Sequence, residues 1–157
     1  MNMKKIHLIA EAAVIAAMYA ALTILIPGGS GQIQVRVSEA LTILPFFTPA
    51  AIPGLFVGCL IANFFVGNGP YDIIFGSLAT LLAAFLTWKI HIKLLAPLPP
   101  VVINAVAVAV ILKLAVNAPF IITMAFVALG ELIACYGLGY PLLLLLSKQK
   151  DRLFGRL

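Results

Sequence analysis

The chain has 157 residues, 64% of them hydrophobic and only 10% charged, with a mean hydropathy of +1.18. A soluble domain carries about 45–50% apolar and about 25% charged residues, and a disordered chain is poor in apolar residues, so composition excludes both and leaves an integral membrane protein. The net charge of +5 does not point to nucleic acid, because the Lys and Arg residues gather at the chain ends and in one loop, as membrane topology dictates.

A spanning helix needs about 20 residues, so this length holds at most about six spans in one domain over residues 1–157. MNMKK resembles the start of a secretory signal, but the apolar run 6–26 is too long for one and no small-residue cleavage site follows, so a retained first span is expected. Further apolar runs cover 50–66, 72–88, 101–116 and 120–146, separated by GNGPYD, KIHIKLLAPLPP and NAP. The last run is over-long, and Gly137-Leu138-Gly139-Tyr140-Pro141 predicts a kink within it. Residues 38–66 read either as one kinked helix or as two, since Pro45, Pro49 and Pro53 each remove a backbone donor. Topology decides. If 38–47 is its own short span, six crossings place Lys4, Lys5, Lys89, Lys93, Lys148, Lys150, Arg152 and Arg156 on one side, which is the cytoplasmic side, with both termini. At 1.5 Å per residue that short span reaches only about half the hydrocarbon thickness, so it must be buried among other helices.

The first span carries small residues at helical spacing: Ala12, Ala16 and Ala20 in one ladder, and Ala13, Ala17 and Ala21 in a second beside it. Small side chains let helices approach closely in lipid, so these faces serve either packing inside the bundle or docking of another membrane protein. A further ladder, Gly54, Gly58 and Ala62, reads as internal packing.

Charges within spans cost about 2.5–3.5 kcal/mol each at a helix centre, which makes their positions informative. Glu11 lies near the cytoplasmic end of the first span, where it can snorkel. The others gather toward the outer half: Arg36, Glu39, Asn63, Asp72, Lys113, Asn117 and Glu131. Asp72 reads either as a helix N-cap or as a site residue, Lys113 as an outward snorkel or a partner of Glu131, and Asn117 as a turn residue or a ligand contact. Glu131, near mid-membrane, has no cheap structural partner and is the best ligand candidate. The segment PGGSGQIQVRVSE, flexible at Gly28, Gly29 and Gly31 and strand-like in its second half, suits a lid over this outer pocket.

No phosphate loop, no metal-binding His or Cys cluster and no Ser-His-Asp set occurs, so neither catalysis nor a cofactor or metal is expected, and any energy source must come from partners. Cys59 and Cys135, both in apolar runs, offer no disulfide framework. Asn104 is the main polar residue of the inner half, which argues against a full-depth pore.

QIQVRVSEALTILPFFTPAAIPGLFVGCLIAN followed by GPYDIIFGSLATLLAA, over residues 32–84, resembles the signature of the QueT family of queuosine-precursor transport proteins. The resemblance implies an all-α bundle of six spans, acting as the substrate-binding S-component of an energy-coupling factor importer in a bacterial plasma membrane. It implies partners too: a transmembrane T-component, docked on the alanine ladder, and two ATP-hydrolysing subunits. The implied substrate is a deazaguanine base in its aminomethyl form. Glu131, Glu39 and Asp72 would then supply acceptors, Lys113, Asn63, Asn117 and Arg36 donors, and Phe46, Phe47, Phe64, Tyr71 and Phe75 stacking surfaces. The alternatives are an S-component for another vitamin-like solute and a small channel or scaffold protein.

Overall fold

The computed structural model describes residues 3–26 and 35–149, and every regular element among them is helical. α1 spans Met3–Leu25 and is followed by a 3-10 helix, Val37–Phe46, then by α2, Ala51–Val66. A π-helical stretch, Asp72–Gly76, leads into α3, Ser77–Lys89, and α4 covers Leu98–Val116. α5, Phe120–Glu131, passes through a second π-helical stretch, Leu132–Gly139, into α6, Tyr140–Lys148. Four of these units, Met3–Leu25, Asp72–Lys89, Lys93–Val116 and Phe120–Lys148, are long and apolar enough to cross a membrane, and two shorter apolar helices lie beside them. The gently hydrophobic surface follows: Leu25, Leu114 and Phe65 are exposed, as lipid-facing side chains must be.

The direction of each pass can be read from its contacts. A Cβ at Gly54 would meet the Ala12 carbonyl oxygen and Ile15, and one at Gly58 would meet Ala16 and Tyr19, so α1 and α2 run parallel. Two parallel neighbours require an intervening pass in the opposite sense, and the 3-10 helix is that pass. Asn63 bonds to the Asp72 carbonyl and Thr80 lies against Cys59, so α2 and α3 are antiparallel. Six alternating passes put Met3 and Lys148 at the same end of the bundle.

The second pass is buried without interruption from Ser38 to Pro45. Burial meets the demand that bare backbone not face lipid. Its geometry also answers the length problem: ten residues at about 2.0 Å rise reach about 20 Å, where an α-helix would reach about 15 Å. Gly139 admits the π stretch against it, since a Cβ there would lie 3.2 Å from the Ala40 carbonyl oxygen. Leu41, Ile43 and Leu44 join Ile15, Leu55 and Leu143 in the apolar core.

At 137–141, where a kink was expected, the chain passes from the π stretch into α6. Pro141 brings no N–H to the ladder, and the wider i→i+5 turns just before it carry the chain into α6 without a break. α4 begins at Leu98, three residues before the predicted start at 101, because Pro99 and Pro100 occupy a first turn where missing donors are tolerated.

Candidate functional site

A cavity of about 450 Å³ opens between α2, α3, α4, α5 and the 3-10 helix. Arg36, Asn63, Asn68 and Asp72 line its upper part, Val108, Leu112, Phe126 and Val127 one wall, and Glu39, Asn104 and Glu131 its deep end. Glu131 closes α5, twelve residues from its start, about 17 Å along the axis and hence near mid-membrane. None of the packed-core residues Leu41, Ile43, Leu44, Leu55 and Leu143 lines the cavity.

The deep end is built around one amide. Asn104 Nδ2 donates to Glu39 Oε2 at 3.3 Å and to Glu131 Oε1 at 3.1 Å. The second oxygen of Glu39 accepts from the Tyr19 hydroxyl, and that of Glu131 lies 3.5 Å from Cys135 Sγ. Thr42 Oγ1 donates to the Glu39 carbonyl at 2.6 Å, which fixes the backbone of that acid in the 3-10 turn. Two carboxyl groups sharing one neutral donor in a buried setting form a receptor for a positively charged or multiply N–H-bearing group.

At the upper part, Asp72 stands in the first π turn rather than capping the helix through its side chain. Gly76 makes room for it, since a Cβ there would come within 3.2 Å of Asp72 Oδ1. The first π stretch begins at an acid of the cavity, Asp72, and the second directly follows one, Glu131, a placement π turns favour at functional sites. Asn63, fully buried, donates to the Asp72 carbonyl at 3.1 Å and accepts from Asn68 at 2.9 Å, stitching the end of α2 to the start of α3. Arg36 lines the same cavity as Glu39, Asp72 and Glu131. Three acids against one base leave the cavity acidic.

The structure thus gathers Glu131, Glu39, Asp72, Asn63 and Arg36 around the cavity and places Lys113, Asn117 and Tyr71 outside its lining. Lys113 and Asn117 are exposed and bonded to each other, Nζ to Oδ1 at 2.7 Å, away from the cavity. Asn117 has φ 55 and ends α4, where Asn is among the few side chains that tolerate the left-handed turn. Tyr71 stacks on Phe75 at the edge of a separate, almost wholly apolar groove of about 600 Å³ between α3 and α4. Neither these rings nor Phe46, Phe47 and Phe64 line the cavity; Phe126 does. The two alanine ladders part company as well. Ala16 and Ala20 are buried, with Ala12 and Ala16 pressed on Gly54 and Gly58, so that ladder is interior packing; Ala13 and Ala17 remain exposed. Gly28, Gly29 and Gly31 lie outside the described residues.

Asn104 was legible only as a stray polar residue of the inner half. The earlier start of α4 carries it about 4.5 Å deeper than the predicted boundary would, level with both glutamates. Tyr19 carried a weaker signal: a lone tyrosine among alanines must find a partner for its hydroxyl.

A helical membrane bundle with a polar, solute-sized cavity is of the class of small integral-membrane transport proteins. The chain belongs to the QueT transporter family, whose model matches residues 9–148. Its relatives include the protein named queuosine precursor transporter QueT of Lactococcus lactis subsp. cremoris (strain MG1363), 31% identical over 157 residues, covering 83% of this chain and 87% of that protein. No solved structure matches.

Proposed function

We propose that this protein is the substrate-binding S-component of an energy-coupling factor importer, and that it captures a queuosine precursor, a deazaguanine base in its aminomethyl form, from outside a bacterial cell. The observation that carries this reading is the Glu39–Asn104–Glu131 cluster at the deep end of the cavity. A guanine-type edge offers adjacent N–H donors and a carbonyl acceptor, and a protonated aminomethyl arm adds a cation. Carboxylates from Glu39, Glu131 and Asp72 accept from the first and neutralise the second, while Arg36 donates to the carbonyl. Phe126 offers a face for the ring.

We read Met3, Lys148 and the Lys89–Lys93 turn as lying at the end of the bundle away from this cavity; by the lysine bias that end faces the cytoplasm and the cavity the outside. The segment with Gly28, Gly29 and Gly31 serves as the lid. A chain without a nucleotide-binding loop takes its energy from partners, a T-component and two ATP-hydrolysing subunits. The outward ladder of Ala13 and Ala17 is the surface on which the T-component docks. Titration of the purified protein with aminomethyl-deazaguanine, guanine and unrelated vitamins tests the assignment. The aminomethyl base should bind tightest and guanine weakest of the two purines; tight binding of a different vitamin would replace the substrate named here.

A further inference from the structure

Among the described residues Tyr19 is the largest side chain that is completely buried, yet it does not line the cavity. Its hydroxyl reaches out of α1 to donate to Glu39 Oε1. With Asn104 3.3 Å from Oε2, both oxygens of Glu39 have donors, from two different helices. Glu131 has the same amide, nearer at 3.1 Å, but its other oxygen has only a thiol, a weak donor, at 3.5 Å where Glu39 has a phenol. The tyrosine itself cannot drift. Its Cβ lies against α2 at Gly58, and its carbonyl accepts from Thr23 Oγ1 at 2.9 Å, with Ser38 Oγ 2.7 Å from the same hydroxyl. α1, α2 and the start of the 3-10 helix thus converge on one phenol whose single polar contact is an acid of the cavity.

We propose that Tyr19 is a positioning residue: it sets the orientation of the Glu39 carboxylate, so that the lone pairs left free by Tyr19 and Asn104 face the solute. Tyr19 never touches the ligand, and its whole effect on binding passes through Glu39. The two acids then divide their work. Glu39 is the fixed reference, and Glu131 is the one that adjusts to what enters.

The proposal rests on the reading of the cavity as a site for an aminomethyl-deazaguanine base, and its test has one arm that does not. Tyr19→Phe removes a single oxygen and should weaken binding of that base about tenfold, the loss typical of one hydrogen bond to a charged group. In a Glu39→Ala background the same substitution should have no further effect, because the group it acts through is gone. Thr87→Val, which deletes a buried hydroxyl bonded at 3.2 Å to the Ala96 carbonyl near the opposite end, should leave affinity unchanged. Equal, additive losses in both backgrounds would make Tyr19 a packing residue and overturn the proposal. The second arm is infrared spectroscopy of the ligand-free protein with isotope-labelled tyrosine. A strongly hydrogen-bonded tyrosine C–O band should be present and should shift in Glu39→Gln, a variant that leaves Tyr19 in place. An unshifted band would overturn the proposal whether or not any base binds. Failure of the wild-type protein to bind the base, with the band shifting as expected, would instead remove the substrate assignment and leave the role of Tyr19 standing.

Discussion

Gly58→Ala probes the contact on which the whole arrangement of α1, the 3-10 helix and the cavity depends. A Cβ at this position would stand 2.8 Å from the Ala16 carbonyl oxygen, 2.9 Å from Tyr19 Cβ and 3.0 Å from Ala16 Cα. None of these atoms can swing aside by a side-chain rotation, because two are backbone and the third roots a fully buried ring. Ordinary contact begins near 3.4 Å, so α1 must retreat by about half an ångström along this turn. Overpacking of this kind costs about 1–3 kcal/mol, and rigid backbone neighbours place it in the upper part of that range. Alanine returns about 1 kcal/mol of helix propensity relative to glycine. The expected net loss is about 1–2 kcal/mol, a factor of about five to thirty in the ratio of folded to unfolded protein. Thermal unfolding of the purified protein in detergent, followed by circular dichroism, reads this directly. Gly137→Ala supplies the comparison, since a Cβ there meets only Ile133 Cγ2 at 4.0 Å and should be neutral or stabilising. If Gly58→Ala melts no lower than Gly137→Ala, the close parallel packing of α1 on α2 is wrong, and with it the six-pass topology.

Three further outcomes follow from where side chains sit. Lys113→Ala and Asn117→Gly should each leave affinity for the base within about twofold, as substitutions of exposed side chains remote from a site do; a loss beyond tenfold would place them at the ligand. Phe126→Ala should weaken binding about three- to tenfold through loss of a stacking face, with little change in melting; unchanged affinity would mean the base lies against another wall. Ala16→Leu should destabilise the isolated protein, whereas Ala17→Leu should melt like the wild type and reduce co-purification of the T-component. The opposite pattern would return docking to the buried ladder.

Much of the architecture could be read from residue order alone, because hydropathy and lysine placement constrain the number and direction of passes more strongly than any local propensity does. The separation of the second pass from α2 followed from charge topology, and the parallel contacts of Gly54 and Gly58 with α1 agree with it. Its 3-10 winding was not legible, since winding depends on what the surrounding helices leave free. The acids of the cavity were legible because charge in a membrane is expensive wherever it is found. Lys113 and Asn117 misled for the converse reason: near a helix end, a charged or amide side chain can reach water, and its presence says little. Asn104 stood out only as a polar exception and Tyr19 escaped notice, because each is polar by only one group and sits in an apolar run. Their meaning appears only when α4 and α1 are set beside the 3-10 helix.

The central claim is that Glu39 and Glu131, joined by Asn104, grip the solute. Calorimetric titration of aminomethyl-deazaguanine into the wild type, Glu39→Gln, Glu131→Gln and the double variant addresses it most directly. Each single substitution should lower affinity by about tenfold or more, and the double variant should lose measurable binding. Undiminished binding by the double variant would contradict the account, because a ligand indifferent to both acids is held somewhere else.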